Sequence, residues 1–168
     1  HYGVHATGVT LSAQQRDYGV ERVRRAGLSE RVEIRLQDYR EISEQPFDAV
    51  SSIEMGEHVG QENYGVYAAQ LHRMLRPHGR LLLQQMSRGS VGSNTAPGGG
   101  AFMEAYVAPD MYMRPLGETL GFLEQAGHEI VDVHSLREHY VWTVRPWLET
   151  LQAHRDTAVR MIGEEQWR

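Results

Sequence analysis

The sequence predicts an α/β fold with a mainly parallel sheet. Short β-type apolar stretches alternate along the chain with amphipathic helical segments, and glycines or prolines separate them. This alternation is typical of βαβ units, in which a helix returns the chain to start the next parallel strand. The 168 residues, 40% of them hydrophobic, are enough for one domain with a sizeable core.

The first third of the chain predicts a strand, a helix and a second strand. Residues 4–11 alternate as a buried strand does. Ser12 and Gln15 form a capping-box pattern, which predicts a helix beginning there and ending at Gly27. Val32, Ile34 and Leu36 then alternate as a second strand.

The rest of the chain continues the alternation. In chain order we predict a strand over Phe47–Ile53, a helix over 62–75, a strand over 80–86, a helix over 115–126, a strand through Ile130 and Val133, and a helical region from 139 that Pro146 breaks or kinks. Glycine-rich sequence after residue 87 predicts a flexible loop, assigned to 87–114, within a single domain over 1–168.

The composition excludes several functional classes. The absence of cysteine excludes a disulfide scaffold, a thiolate metal site and a cysteine nucleophile. The net charge of −5 does not indicate the positively charged surface that binds nucleic acid, so we expect no nucleic-acid partner. Glu57 and His58 are adjacent and lack the i, i+4 spacing of a helical zinc site, so we also expect no metal.

Parallel sheets bind ligands beyond the carboxyl ends of their strands, so these ends are the candidate site. Asp38 and Tyr39 follow the second strand. At this position a carboxylate can bind an amino group of a nucleotide, and an aromatic ring can pack on its adenine. The alternative is a surface aspartate that caps a loop and a tyrosine that covers the core.

Acidic residues also follow the third strand. Glu54, Glu57 and His58 stand where a general base or a charged clamp is found in enzymes of this architecture. The alternative is a helix N-terminus, whose dipole favours carboxylates without any catalytic role.

Several segments carry a family resemblance. In order, GVTLSAQQ, LQDYRE, FDAVSSIEMGEHVG, YAAQLHRMLRPHGRLLL and LREHYVWT resemble the cyclopropane-fatty-acid and mycolic-acid synthase family of S-adenosylmethionine (SAM) methyltransferases. The segment GGGAFMEAYVAPDMYMRPLGETL is most similar to the actinobacterial branch that forms 10-methylene or 10-methyl fatty acids. The resemblance implies a Rossmann-like class I SAM methyltransferase sheet.

The resemblance also implies a missing part. Family members carry a Gly-rich loop after a first strand that lies in the middle of the sheet, and this chain begins at what resembles their second strand. They also continue beyond the position of Arg168. We therefore expect a partial domain, a break in the central ladder between the strands at 4–11 and 47–53, and no activity from these 168 residues alone.

The resemblance implies a SAM site made from three strand ends. The residues that match it are Thr10, Leu11, Gln15, Asp38, Tyr39 and Ile53. Gln15 replaces the acidic residue that usually grips a ribose. For Leu11 and Ile53 the alternative is simple core packing.

The resemblance further implies that a bicarbonate ion, bound near the reacting methyl group, acts as the base that removes a proton. Glu57 and Tyr140 match the family glutamate and tyrosine of that site, and the main chain of Met86 matches a further contact. Gln84 stands where the family has a histidine, and an amide donates a hydrogen bond but takes no proton.

The implied reaction is methyl transfer to the double bond of an unsaturated phospholipid acyl chain, which leaves a carbocation for Glu57 to stabilise. Proton loss gives a cyclopropane or a methylene branch, and a partner reductase saturates the latter. We expect a cytoplasmic homo-oligomer that meets the inner face of the membrane peripherally. The candidate acyl-channel residues, or alternatively a lid that covers the core, are Met103, Tyr106, Val107, Met111, Tyr112 and Met113.

Other functions remain open at this point. A methyltransferase of a small polar substrate requires a pocket lined by charge, and a non-catalytic SAM-binding or partner-binding remnant fits the missing loop and Gln84. A dinucleotide-dependent oxidoreductase is disfavoured because the strand ends match SAM positions.

Overall fold

A computed structural model describes residues 2–44, 46–89, 100–106 and 109–167, without the side chains of residues 102 and 103. The chain divides into two compact units, His1–Ile130 and Val131–Arg168. The first unit holds every strand of the described chain, and the second is helical. The single domain over 1–168 stays a prediction.

The first βαβ unit forms as the sequence predicts. Strand β1 (Ala6–Thr10) leads into helix α1 (Ala13–Arg25), and β2 (Val32–Leu36) returns parallel to β1 in register from Ala6↔Val32 to Thr10↔Leu36. The Oγ of Ser12 accepts a hydrogen bond of 3.2 Å from the backbone N–H of Gln15, which confirms the predicted cap.

The second parallel pair consists of β3 (Phe47–Ile53) and β4 (Leu75–Gln84), connected through α2 (Tyr64–Arg73). Their register runs from Ala49↔Arg80 to Ile53↔Gln84. The strand predicted over 80–86 begins earlier, because Phe47 already pairs with Leu75 before a shift in register. It ends at Gln84, so Met86 lies beyond the strand.

The two ends of the predicted 87–114 loop meet. Strand β5 (Ser87–Arg88) pairs in parallel with β6 (Arg114–Pro115), which leads directly into α4 (Leu116–Gln125). Between them, α3 spans Ala101–Tyr106. Residues 90–99 and 107–108, including Val107, lie outside the described residues, and the flexibility of this loop stays a prediction.

The core of the first unit is built on α2. Its buried cluster comprises Ile42, Tyr64, Tyr67, Leu71 and Met74, and partly buried residues of β1, β3 and β4 pack against it. The phenol of Tyr67 is hydrogen-bonded at 2.5 Å to the hydroxyl of Ser52, which anchors α2 to β3. Among the described residues no ladder joins β1–β2 to β3–β4, which is the break that the sequence predicts.

The second unit contains α5 (Arg137–Ala153), α6 (Arg155–Ile162) and α7 (Glu164–Trp167). Helix α5 continues through Pro146, so this proline does not end it. The strand predicted through Ile130 and Val133 is wrong: residues 128–136 form no regular element. Alternation alone does not make a strand, and no described strand pairs with this segment, in which Val131 is 90% exposed. None of the described helices is both long and apolar enough to cross a bilayer.

Candidate functional site

Polar side chains interact at the carboxyl end of β1. The hydroxyl of Thr10 donates a hydrogen bond of 2.7 Å to Oε1 of Gln15 and accepts one of 3.1 Å from the backbone N–H of Ser12. The capped start of α1 therefore holds Gln15 beside the end of the strand. Leu11 follows β1 and is 74% exposed, which argues against core packing of its side chain within this chain.

The end of β2 is organised by an ion pair. The carboxylate of Asp38 accepts hydrogen bonds from the backbone N–H and from two guanidinium nitrogens of Arg40, at 2.9, 3.0 and 2.6 Å. These bonds lower the pKa of Asp38. The carboxylate caps the short 3-10 turn Tyr39–Glu41, as the cap alternative predicts.

Tyr39 packs at the edge of the core. Its ring meets that of Tyr67 edge to face, with centroids 5.6 Å apart, and its backbone carbonyl accepts a hydrogen bond of 3.0 Å from Gln70. The guanidinium of Arg40 lies 5.9 Å from the ring centroid. These contacts agree with the alternative in which Tyr39 covers the core, and its contact with an adenine stays a prediction.

The ends of β3 and β4 lie side by side. Ile53 is the register partner of Gln84 and is 54% exposed, so core packing within this chain does not explain it. The next residue, Glu54, adopts a left-handed conformation with φ of 50°. Its backbone N–H donates to the carbonyl of Gln84 at 2.9 Å, and its carboxylate accepts a hydrogen bond from the Gln84 amide.

Glu57 is the most buried carboxylate of this region, with 1% of its surface exposed. It lies in a 3-10 turn over Gly56–His58, where Oε1 accepts a hydrogen bond of 3.3 Å from the backbone N–H of Met86. Its Oε2 is buried without a hydrogen-bond partner. Burial raises the pKa of Glu57, and the nearby carboxyl of Glu54 raises it further.

The comparisons with known proteins identify the family of this chain. The family model described as mycolic acid cyclopropane synthetase matches residues 1–168, the whole chain. The chain belongs to the mycolic acid cyclopropane synthetase family.

Curated relatives of this family member share about a third of its residues. It is 38% identical over 161 residues to a probable fatty acid methyltransferase of Mycobacterium tuberculosis, covering 96% of this chain and 37% of the relative. It is 34% identical over 164 residues to the tuberculostearic acid methyltransferase UfaA1 of the same organism, covering 97% and 38%. The chain therefore spans well under half the length of these relatives.

A solved structure supports the fold of the family. The chain superimposes on the cyclopropane synthase MmaA2 of Mycobacterium tuberculosis with a TM-score of 0.85 and 22% identity, covering 99% of this chain and 61% of that one. The fold is the Rossmann-like class I methyltransferase fold that the sequence predicts.

This family member also has a buried polar network that the sequence did not reveal. The phenol of Tyr64 donates a hydrogen bond of 2.6 Å to Oε1 of Gln85, whose amide donates one of 3.1 Å to Thr119. Gly56 leaves space for Gln85, because a Cβ at position 56 would lie 1.8 Å from its Oε1. Gln85 therefore packs against Gly56 in the turn that carries Glu57, and only the glycine preceding EHVG indicates this contact in the sequence.

Arg114 is a second residue that the sequence did not single out. It is 1% exposed, and its guanidinium carbon lies 4.1 Å from the ring centroid of Tyr64, 4.9 Å from that of Tyr112 and 5.7 Å from that of Phe122. Burial lowers the pKa of Arg114. An isolated arginine in a mixed sequence usually indicates surface, so no sequence signal announces this burial.

The remaining predicted residues are Tyr140 and the acyl-channel candidates. Tyr140 lies on α5 in the second unit and is 44% exposed, so its role stays a prediction. Of the acyl-channel candidates, Met111 is buried and Tyr106 is 77% exposed, while the side chain of Met103 lies outside the described residues. No group of three or more potential metal ligands occurs in the described part of the chain.

Proposed function

We propose that the protein containing this chain is a SAM-dependent C-methyltransferase that acts on the double bond of unsaturated fatty-acyl chains of phospholipids. The observation that carries the proposal is Glu57, a buried carboxylate with one oxygen held by Met86 and the other without a partner. A buried acidic group of this kind is suited to stabilise positive charge on an apolar substrate. The fatty acid methyltransferases among the relatives support this substrate class.

SAM fits the exposed strand ends. The Thr10–Gln15 pair offers a hydroxyl and an amide to the sugar of the cofactor, and the partly exposed Tyr39 ring offers a surface to its adenine. The Asp38 carboxylate is already bound by Arg40, so we assign it to shaping the Tyr39 turn instead of gripping the cofactor by itself. When bound, SAM supplies an electrophilic methyl group.

On the acyl side, Glu57 acts in its ionised form. The carboxylate stabilises the positive charge that methyl transfer creates on the acyl chain, and its burial keeps water away from that charge. Because the pKa of Glu57 is raised, this ionised form is populated at higher pH than for an ordinary glutamate.

Two of the predicted bicarbonate contacts already have partners within the chain. The Met86 N–H is already donated to Glu57, and the Gln84 amide is bonded to Glu54. Bicarbonate therefore has no part in the reaction proposed for this chain, and its binding stays a prediction.

The product we propose is a methylene-branched acyl chain, which a partner reductase saturates. A 1,2-hydride shift moves the positive charge to the methylated carbon, and the proton lost from the added methyl group passes to the Glu57 carboxylate, whose raised pKa suits it as the acceptor. This transfer is not coupled to ring closure, so it requires no base at position 84, where an amide cannot accept the proton. A peripheral encounter with the cytoplasmic face of a membrane supplies the substrate. Self-association into a homo-oligomer stays a prediction.

An assay with lipid vesicles tests the proposal. The native protein is incubated with methyl-labelled SAM and vesicles of an unsaturated phospholipid, with the saturated phospholipid as control, and the acyl chains are analysed by mass spectrometry. Label in an exomethylene acyl chain, dependent on the double bond, supports the proposal. A dominant cyclopropane product contradicts the methylene assignment, whereas label only in added small polar amines or acids contradicts the lipid substrate.

A further inference from the structure

A short segment following α3 contacts the turn that carries Glu57. We call residues 110–114 the clasp segment. Its Tyr112 N–H donates a hydrogen bond of 2.7 Å to the carbonyl of Glu57, and Nη2 of Arg114 donates one of 3.1 Å to the carbonyl of Gly60. Asp110 approaches Nδ1 of His58 at 3.4 Å. Three contacts over five residues therefore bind the clasp segment to residues 57–60.

These contacts differ in how firmly they hold the segment. The side chains of His58 and Asp110 are 38% and 67% exposed, so solvent screens their attraction. The bond from Tyr112 to Glu57 joins two main-chain groups, so its length and angle change whenever the clasp segment moves. Arg114 is the buried member, and three aromatic rings surround its guanidinium. Cation–π attraction in a desolvated site makes it the strongest anchor of the three.

Arg114 also connects to the other side of Glu57. It is the register partner of Ser87 in the β5–β6 pair, and Ser87 directly follows Met86. Met86 in turn donates its N–H to Oε1 of Glu57. The clasp segment thus binds the backbone carbonyl of Glu57, and the segment that contains Met86 binds its carboxylate. The two segments pair at Arg114.

We infer that Arg114 is a positioning residue, whose caged guanidinium fixes the clasp segment and thereby the orientation of the Glu57 carboxylate. The inference rests on the proposed function, because it assigns Glu57 to the acyl-chain reaction. The guanidinium acts through Tyr112 and Met86, and it does not itself contact the reacting groups. Its loss leaves the carboxylate in place but free to turn, which affects the rate more than cofactor binding.

The test compares Arg114→Met and Arg114→Lys with the native protein. For Arg114→Met we expect kcat to fall by about tenfold or more, with Kd for SAM changed less than about twofold. We expect hydrogen–deuterium exchange at the Tyr112 amide to become about tenfold faster, because its bond to Glu57 opens more often. Arg114→Lys keeps the charge among the rings and should recover part of both losses.

Arg73→Met is the matched control. Arg73 also donates from its guanidinium to a main-chain carbonyl, that of Ile42 at 2.6 Å, but it lies outside the clasp segment. This variant should leave the Tyr112 exchange unchanged. Native exchange at Tyr112 in Arg114→Met, or loss of SAM affinity in step with kcat, would overturn the inference.

Two further outcomes are also decisive. If Arg114→Met does not fold, Arg114→Lys must show the same changes at smaller size, and native values there reject the inference. If the native protein does not methylate unsaturated phospholipids, the proposed function fails, while the Tyr112 exchange still decides whether Arg114 holds the segment.

Discussion

The amide of Gln84 donates a hydrogen bond to the carboxylate of Glu54 where β4 and β3 end side by side. A second bond joins the same residues, from the Glu54 N–H to the Gln84 carbonyl at 2.9 Å. The double link fixes Glu54 in its left-handed conformation and keeps its carboxyl near Glu57. Gln84 therefore binds the carboxylate of Glu54, and Glu54 in turn raises the pKa of Glu57.

Glu54→Gln should move the acidic limb of the pH–rate profile to lower pH. The Glu54 carboxyl is one cause of the raised pKa of Glu57, so its removal lowers that pKa and lets Glu57 ionise in more acidic solution. The measurement is kcat/KM between about pH 5 and 8. Glu62→Gln, which removes an exposed carboxyl near the start of α2, is the control and should leave the limb in place. A limb that moves to higher pH contradicts the arrangement.

Glu57→Gln should lower turnover by about a hundredfold or more and change SAM affinity by less than about twofold. The amide keeps an oxygen to accept the Met86 N–H, so the turn stays in place, but it carries no charge to stabilise the acyl cation. Steady-state kinetics and calorimetric titration with SAM measure the two effects. Parallel losses of rate and affinity would make Glu57 a structural residue or a cofactor ligand.

Replacing Tyr39 by leucine or Gln15 by alanine should weaken SAM binding by about five- to tenfold, since each removes a contact proposed for the cofactor. Tyr39→Phe keeps the ring that packs on Tyr67 and should bind nearly as the native protein does. Calorimetry gives the affinities. Tyr18→Leu, a change on the exposed surface of α1, is the control. Unchanged affinity in both test variants places the cofactor elsewhere.

His128 should make the fold sensitive to acid. Burial lowers its pKa, and the neighbouring ring of His72, with centroids 5.0 Å apart, lowers it further. The pKa of His128 is lower in the folded state than in the unfolded state, where it is about 6.5, so the folded state favours the neutral ring. The stability that the neutral ring contributes is complete above that unfolded pKa and is lost as the pH falls through the folded pKa. Thermal unfolding should therefore show a smaller decrease in Tm on acidification for His128→Leu than for the native protein. The exposed His5→Gln should behave as the native protein; equal decreases in all three proteins contradict the expectation.

Local signals in the sequence determined most of the first unit. The strands β1, β2 and β3 and the cap at Ser12 follow from alternation and capping chemistry, which depend on residues close together in the chain. The same signals fail at Ile130 and Val133, because a strand also requires a neighbour that accepts its hydrogen bonds. The order of the motifs along the chain was sufficient to identify the family, because that order can be determined without knowing the fold.

Packing between distant segments decided the site itself. The sequence placed Glu54, Glu57, Gln84 and Met86 near the strand ends, but the Ile53↔Gln84 register determined that Gln84 bonds to Glu54 and Met86 to Glu57. The burial of Arg114 depends on rings from α2, α4 and its own segment. Burial and partner choice are properties of residues brought together from across the chain, so periodicity within a short window cannot encode them. The sequence thus identified the family and the strand ends, and the tertiary structure decided which main-chain groups hold Glu57 in place.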